Sequence, residues 1–160
     1  MCYKANKTNK NINTMESYKQ MKNRQRAEMN ALPILAAFGE KQFAEMMQEF
    51  DLPNDKSGYA QIISLGCGCY IKKADYPAYR ETIERHYKEM RELKNNPAEL
   101  KKAFRYEFAN HESQFSLDNE TILACVCLTE KEVSEDAELL KIYNEAWAEF
   151  WHDCVENDWF

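Results

Sequence analysis

Four of the six cysteines fall in two Cys-x-Cys pairs, Cys67 with Cys69 and Cys125 with Cys127. Four thiolates are one donor set of a structural zinc site, but such sites more often place two residues between paired cysteines. On a strand, alternate residues share a face, which suits Cys67 and Cys69. On a helix the same step rotates by about 200°, which turns Cys125 away from Cys127. The four are therefore read as small buried apolar groups, and no metal or other cofactor is assigned. Six cysteines in 160 residues also fall below the density of a disulfide scaffold, so a reducing compartment would keep them as thiols.

The three histidines support no catalytic assignment either. His111-Glu112 is half of a helical metalloprotease motif, which requires a second histidine one turn on, and position 115 is Phe115. His111 lies on an apolar stripe, where a core histidine bonded to a neighbouring carboxylate or carbonyl is the plainer reading. His86 with Glu89 or Glu112, and His152 with Cys154, become acid–base pairs only through a tertiary contact. No Ser-His-Asp order, phosphate-binding loop or dinucleotide fingerprint is present, since Gly66 and Gly68 lack the third glycine and the following helix. Lys72 and Lys73, beside that glycine-rich turn, are the visible candidates for binding the phosphate of a small signalling nucleotide.

Charge is the stronger signal. Residues 1–26 carry net +6, residues 27–117 are near neutral, and residues 118–160 carry net −10. Such a polarity steers association without specifying chemistry. On the last helical segment Glu138, Glu145, Glu149, Asp153 and Glu156 fall on or near one outer stripe. Like charges one turn apart cost about 0.2–0.5 kcal/mol per pair, so something should offset them. The basic N-terminal segment lying across the stripe, or solvent, would do so. A basic protein partner is the functional alternative. Five charges over roughly 27 Å of helix fall well short of duplex DNA, with one charge per roughly 1.7 Å, so the stripe supports partial mimicry or electrostatic docking only. Lys4, Lys7, Lys10, Lys19, Lys22, Arg24 and Arg26 could contact phosphates, but net −12 beyond Arg26 would repel the same duplex, and nucleic acid is disfavoured.

The elements that position these residues follow from periodicity and caps. Only four Gly and four Pro leave little material for loops, and helix is the default. The spacing predicts a weak basic helix over Glu16 to Asn30, a short buried and extended run over Ala31 to Phe38, and a helix from Gly39 to before Pro53. Ile62 to Ile71 reads as a hairpin about Gly66-Cys67-Gly68. Asp75 should cap a long helix whose inner face is Tyr79, Ile83, His86, Tyr87, Met90 and Leu93. Pro97 begins another, striped by Leu100, Ala103, Phe104, Phe108, His111 and Phe115. Asp118 or Asn119 caps the next, and Thr129 with Glu132 forms a capping box. From about Asp136, Leu139, Leu140, Tyr143, Ala146, Trp147, Phe150, Trp151, Cys154 and Val155 mark the last and clearest helix. The fold class is α+β, predominantly helical, with six or seven helices and one short hairpin. Residues 1–15 read as a flexible basic tail, with Met15 an alternative start, and residues 16–160 as one domain. No apolar run approaches the roughly 18 residues of a membrane span, and no secretory signal is visible, so no membrane partner and a cytoplasmic location are expected. Trp159 and Phe160 could pair two copies, but two terminal aromatics do not fix an oligomeric state.

The segments ALPILAAF, EKQFAEMM, SLGCGCYIKKADYPAY, RYEFANHE and TILACVCLTEKEV, in that order, resemble a family of small uncharacterised proteins from gut bacteria and their phages and mobile elements. The resemblance covers roughly Glu28 to Val133 and implies a shared fold and genomic setting, with no established activity. The family pattern has plain Gly or small apolar residues around the hairpin centre and before the Leu-Thr, which argues against a family-wide metal role for Cys67, Cys69, Cys125 and Cys127. Together with the acidic pole, that setting leads us to expect a non-catalytic factor that binds a basic host protein. An anti-CRISPR-like inhibitor covering the nucleic-acid groove of a defence nuclease would be one such factor, with the five acids as contacts. The alternatives are a nucleotide sponge using Lys72 and Lys73, or a nucleic-acid accessory protein using the basic N-terminus.

Overall fold

The computed structural model describes residues 16–159. The expected tail over residues 1–15, with Lys4, Lys7 and Lys10, lies outside them, as does Phe160. The first helix, α1 (Tyr18–Asn30), starts at a capping box in which Ser17 and Gln20 each accept from the other's backbone N–H. It buries Tyr18, Met21 and Gln25.

The run over Ala31 to Phe38 pairs over only two residues, β1 (Leu35–Ala36). The hairpin forms where expected, from β2 (Ile62–Gly66) and β3 (Cys69–Lys72), and β1 adds to it as an antiparallel third strand in the order β1-β3-β2. Its turn holds three successive positive φ angles: Gly66 at 92°, Cys67 at 49° and Gly68 at 74°. Glycine at two of these positions avoids the strain a side chain would bring. Because β1 is an edge strand, the run is not buried throughout: Ala37 is covered, but Phe38 is 75% exposed. Helix α2 (Glu40–Glu49), begun at Gly39, lays Met46 and Met47 on this side, where they form a small core with Ala37 and Phe50. The turn cluster after Pro53 contains a single helical turn, α3 (Lys56–Tyr59), capped by Asp55.

A larger, mainly helical core fills the rest. Helix α4 (Tyr76–Glu92) continues as a 3-10 turn over Leu93–Asn95, and α5 (Pro97–Asn110) follows, capped by Asn96. Short helices α6 (Ser113–Ser116), α7 (Asn119–Cys125) and α8 (Glu130–Glu135) lead to α9 (Ala137–Glu156). Of the two candidates Asp118 and Asn119 it is Asp118 that caps α7, the Thr129 capping box forms as expected, and Asp136 caps α9. At the centre α5 lies on α9, with the fully buried Phe108 ring 5.1–6.3 Å from the rings of Phe104, Tyr143, Trp147 and Phe150.

Several expected faces are narrower than their periodicity. On α4 His86 and Met90 are buried, while Ile83 and Tyr87 face solvent, because α4 packs chiefly on α1. Asp75 precedes α4 in a helical backbone conformation and its carboxylate makes no cap bond. The α5 stripe ends at Phe108, since the left-handed Glu112 (φ 47°) turns the chain away and leaves Phe115 62% exposed. On α9 the buried set is Leu139, Ile142, Ala146, Phe150 and Cys154, with Leu140 and Val155 outside it.

Candidate functional site

The histidines and cysteines meet different partners from those their spacing suggested. His86 contacts neither Glu89 nor Glu112: its Nε2 lies 2.5 Å from Glu28 Oε2, across the α1–α4 interface. His152 faces Glu156 at 3.4 Å, and Cys154 is buried on the other side of α9. The four Cys-x-Cys thiols form no joint cluster among the described residues. Cys67 and Cys69 sit at the exposed hairpin, whereas Cys125 ends α7. Cys127 is not on a helix at all, as the chain turns left-handed there (φ 54°).

One cluster does form, at the C-terminal ends of α5 and α7. Glu107 has no exposed surface. Its Oε1 accepts a short hydrogen bond from the Tyr18 hydroxyl and lies 3.1 Å from Lys22 Nζ. Its Oε2 lies 3.4 Å from His111 Nε2, and the same nitrogen lies 3.4 Å from Cys125 Sγ. Burial pushes the Glu107 carboxyl up, but the bonds from Tyr18 and Lys22 outweigh it and hold the group below its usual range, hence ionised. Burial, with Glu107 beside it, pushes the Tyr18 hydroxyl up, so it stays a neutral donor. Burial and Glu107 likewise raise the Cys125 thiol. This is not a nucleophile–base–orienter set. In that arrangement the two imidazole nitrogens divide the roles, whereas here Nε2 alone faces both thiol and carboxylate. Sequence reading missed Glu107, although a signal existed: it is an acid three and four residues from the buried apolar Phe104 and Ala103, one turn before His111.

The expected acidic stripe is largely paired within the fold. Lys101 lies 2.6 Å from Glu149 and 3.7 Å from Glu145. Arg105 lies 2.9 Å from Glu149 and also grips Asp153, and Lys141 approaches Glu145 at 3.9 Å. The compensating cations thus come chiefly from α5, which packs on the same helix, where the expected sources were the N-terminal segment or solvent. Glu138 makes no ion pair among the described residues. With Glu135 and Asp136 it forms an exposed acidic corner where α8 meets α9. Beside it runs a groove of about 400 Å³ whose acidic walls include Glu132, Glu135 and Glu138, with Lys94 at its rim. Glu132 is bound to Arg91, and Lys131 reaches Glu135 only at 3.9 Å.

The basic N-terminal helix is also partly engaged. Arg24 bridges Glu16, Glu28 and Glu89, and Arg85 joins Glu28 from α4. Bonds from Arg85 and then His86 lower the Glu28 carboxyl from 4.5 to about 2. A depressed carboxyl contributes stability above its unfolded value, and that contribution is lost as pH falls through the folded one. Unfolding free energy is therefore expected to fall between pH 4.5 and about 2, and Glu28→Gln should flatten that part of the profile in urea melts. An unchanged profile in the variant would refute the linkage.

Lys72 and Lys73 lie outside the lining of the cleft next to the hairpin. Lys72 Nζ lies over the Phe50 ring, 5.9 Å from its centroid, and Lys73 is exposed. The nearby cleft of about 680 Å³ is walled by Phe43, Tyr59 and Tyr70 and carries Glu40, with neither lysine in its lining. A carboxylate there opposes a phosphate.

Among the described residues no helix is long and apolar enough to cross a membrane. No curated protein and no solved structure matches the chain significantly. A family profile does match, over residues 17–149, from the cap of α1 to the middle of α9. That span takes in most of the fold and all of the Glu107 cluster, and the chain belongs to the family of unknown function DUF7659.

Proposed function

We propose that this protein is a non-catalytic binding factor that engages a cationic protein partner through the acidic corner between α8 and α9. One observation carries the reading: after internal pairing removes Glu145, Glu149 and Asp153 from the stripe, unneutralised charge remains at Asp136 and Glu138, with Glu135 held only loosely, beside an open groove. Of the five stripe acids, Glu138 is thus the strongest contact and Glu156, already near His152, a peripheral one. Exposed acids of this kind raise association rates more than they add affinity, and their effect is screened by salt.

The test uses an arginine-rich synthetic peptide, titrated by fluorescence anisotropy at low and at physiological salt. Glu135→Lys with Glu138→Lys should weaken binding at least about tenfold at low salt, or roughly 1.4 kcal/mol, with a smaller effect at higher salt. Glu149→Lys should leave affinity within about twofold, because Glu149 is already held by Lys101 and Arg105. Equal losses from both variants would overturn the corner in favour of the stripe. The finer form, a mobile-element inhibitor of a host defence nuclease such as a CRISPR effector, predicts that the wild-type protein slows nuclease cleavage and that the corner double variant does not.

A further inference from the structure

We propose that Glu107, His111 and Cys125 form a zinc site. The three ligand atoms lie within 4.8 Å of one another. The His111 nitrogen is 3.4 Å from both the carboxylate oxygen and the sulfur. Zinc bonds of about 2.0–2.1 Å to nitrogen or oxygen and about 2.3 Å to sulfur, at tetrahedral angles, put neighbouring ligand atoms roughly 3.3–3.6 Å apart. Both measured edges fall at that spacing, so an ion could enter with small side-chain adjustments. One sulfur, one imidazole and one carboxylate suit a borderline-soft ion, and a set with a single oxygen donor is a poor one for calcium or magnesium.

The surroundings also prepare the ligands. Tyr18 and Lys22 hold Glu107 Oε1, which fixes the carboxylate and leaves Oε2 turned to His111. Hydrogen bonds of this kind orient metal ligands and maintain their affinity. Lys22 is a charge near the ion, but it sits on the far oxygen and limits Glu107 to one bond. Glu107 and His111 stand in the last turn and at the C-cap of α5, the end whose negative partial charge favours a cation. His111 and Cys125 are each only partly buried, so solvent has access for a fourth ligand. The ion would tie α5 to α7 across the connection that contains left-handed Glu112 and Leu117.

The experiment takes the full chain, purified under reducing conditions and stripped with a chelator, and titrates it with cobalt and then zinc. Saturation near one equivalent, with a sulfur-to-cobalt charge-transfer band of one-thiolate intensity that zinc abolishes, is expected. Cys125→Ser should remove the band and lower zinc affinity at least about tenfold, and His111→Asn should lower the affinity similarly while keeping a weakened band. The double variant Cys67→Ser with Cys69→Ser should bind as wild type does. Circular dichroism of the stripped variants confirms folding, and if Cys125→Ser does not fold, His111→Asn carries the test. Absence of saturable binding, a band that survives Cys125→Ser, or loss of the band in the hairpin double variant would each overturn the site.

Discussion

Phe108→Ala is expected to lower the unfolding free energy by about 3–5 kcal/mol, a large share of the roughly 5–15 kcal/mol that holds a domain together. The ring is fully buried and touches four other aromatic rings from two helices. Burial of such a side chain is worth about 1.5–3 kcal/mol, and well-placed aromatic pairs add about 0.5–1.5 kcal/mol each. The hole would not collapse easily, because α5 and α9 are held apart by Phe104, Ala146 and Phe150 and tied at the rim by Lys101 and Arg105. The control is Phe115→Ala. It removes the same group from the same sequence stripe, but at an exposed position, and should stay within about 0.5 kcal/mol of wild type. Equilibrium urea unfolding followed by circular dichroism compares them. Equal effects would mean that α5 does not end its buried face where the left-handed Glu112 turns the chain.

That contrast shows what was legible in the sequence and what was not. Features set within one turn were readable: the Thr129–Glu132 capping box, the Asp118 cap, the Asn96-Pro97 start of α5 and the glycine-rich turn of the hairpin all depend on residues at most four apart. The overall class follows from such local signals. Periodicity shows that a helix has an apolar face, but not how wide a face its neighbours will cover, so Tyr87 and Phe115 looked equivalent to Met90 and Phe108. Nor does it say which helix lies opposite. The cations that neutralise the α9 stripe stand 44 and 48 residues away on α5, and the partner of His86 stands 58 away on α1. The His111–Cys125 approach, only 14 residues apart, depends on two left-handed residues that are not glycine, Glu112 and Leu117, and sequence composition gives no sign of them. Charge segregation along the chain therefore overstated how much of the α9 stripe is left unpaired. The acids that looked most available are the ones folding uses.

The second large effect is expected at Glu107, where an apolar residue of similar volume tests the buried charge without opening a cavity. Glu107→Leu, measured in urea melts with a chelator present, should cost about 3–5 kcal/mol, the usual result of removing one member of a buried ion pair. The loss has identifiable parts. The Tyr18 hydroxyl is left buried without its acceptor, which is worth about 1–3 kcal/mol. Lys22 loses its counter-ion but remains 28% exposed and can turn to water, so its share is the smaller one. His111 and Asn110 lose weaker contacts at 3.4 Å. Removing the orphaned hydroxyl as well, in Tyr18→Phe with Glu107→Leu, should therefore recover at least about 1 kcal/mol relative to the sum of the single variants. If Glu107→Leu proves neutral or stabilising, the ionised carboxylate does not hold α1 to α5, and these donors are satisfied in some other way. If the cost appears as expected, the fold maintains a desolvated carboxylate against the ordinary advantage of an apolar core, one helical turn from a histidine and within reach of a thiol. A metal ligand would have to be held in that way before the ion arrives.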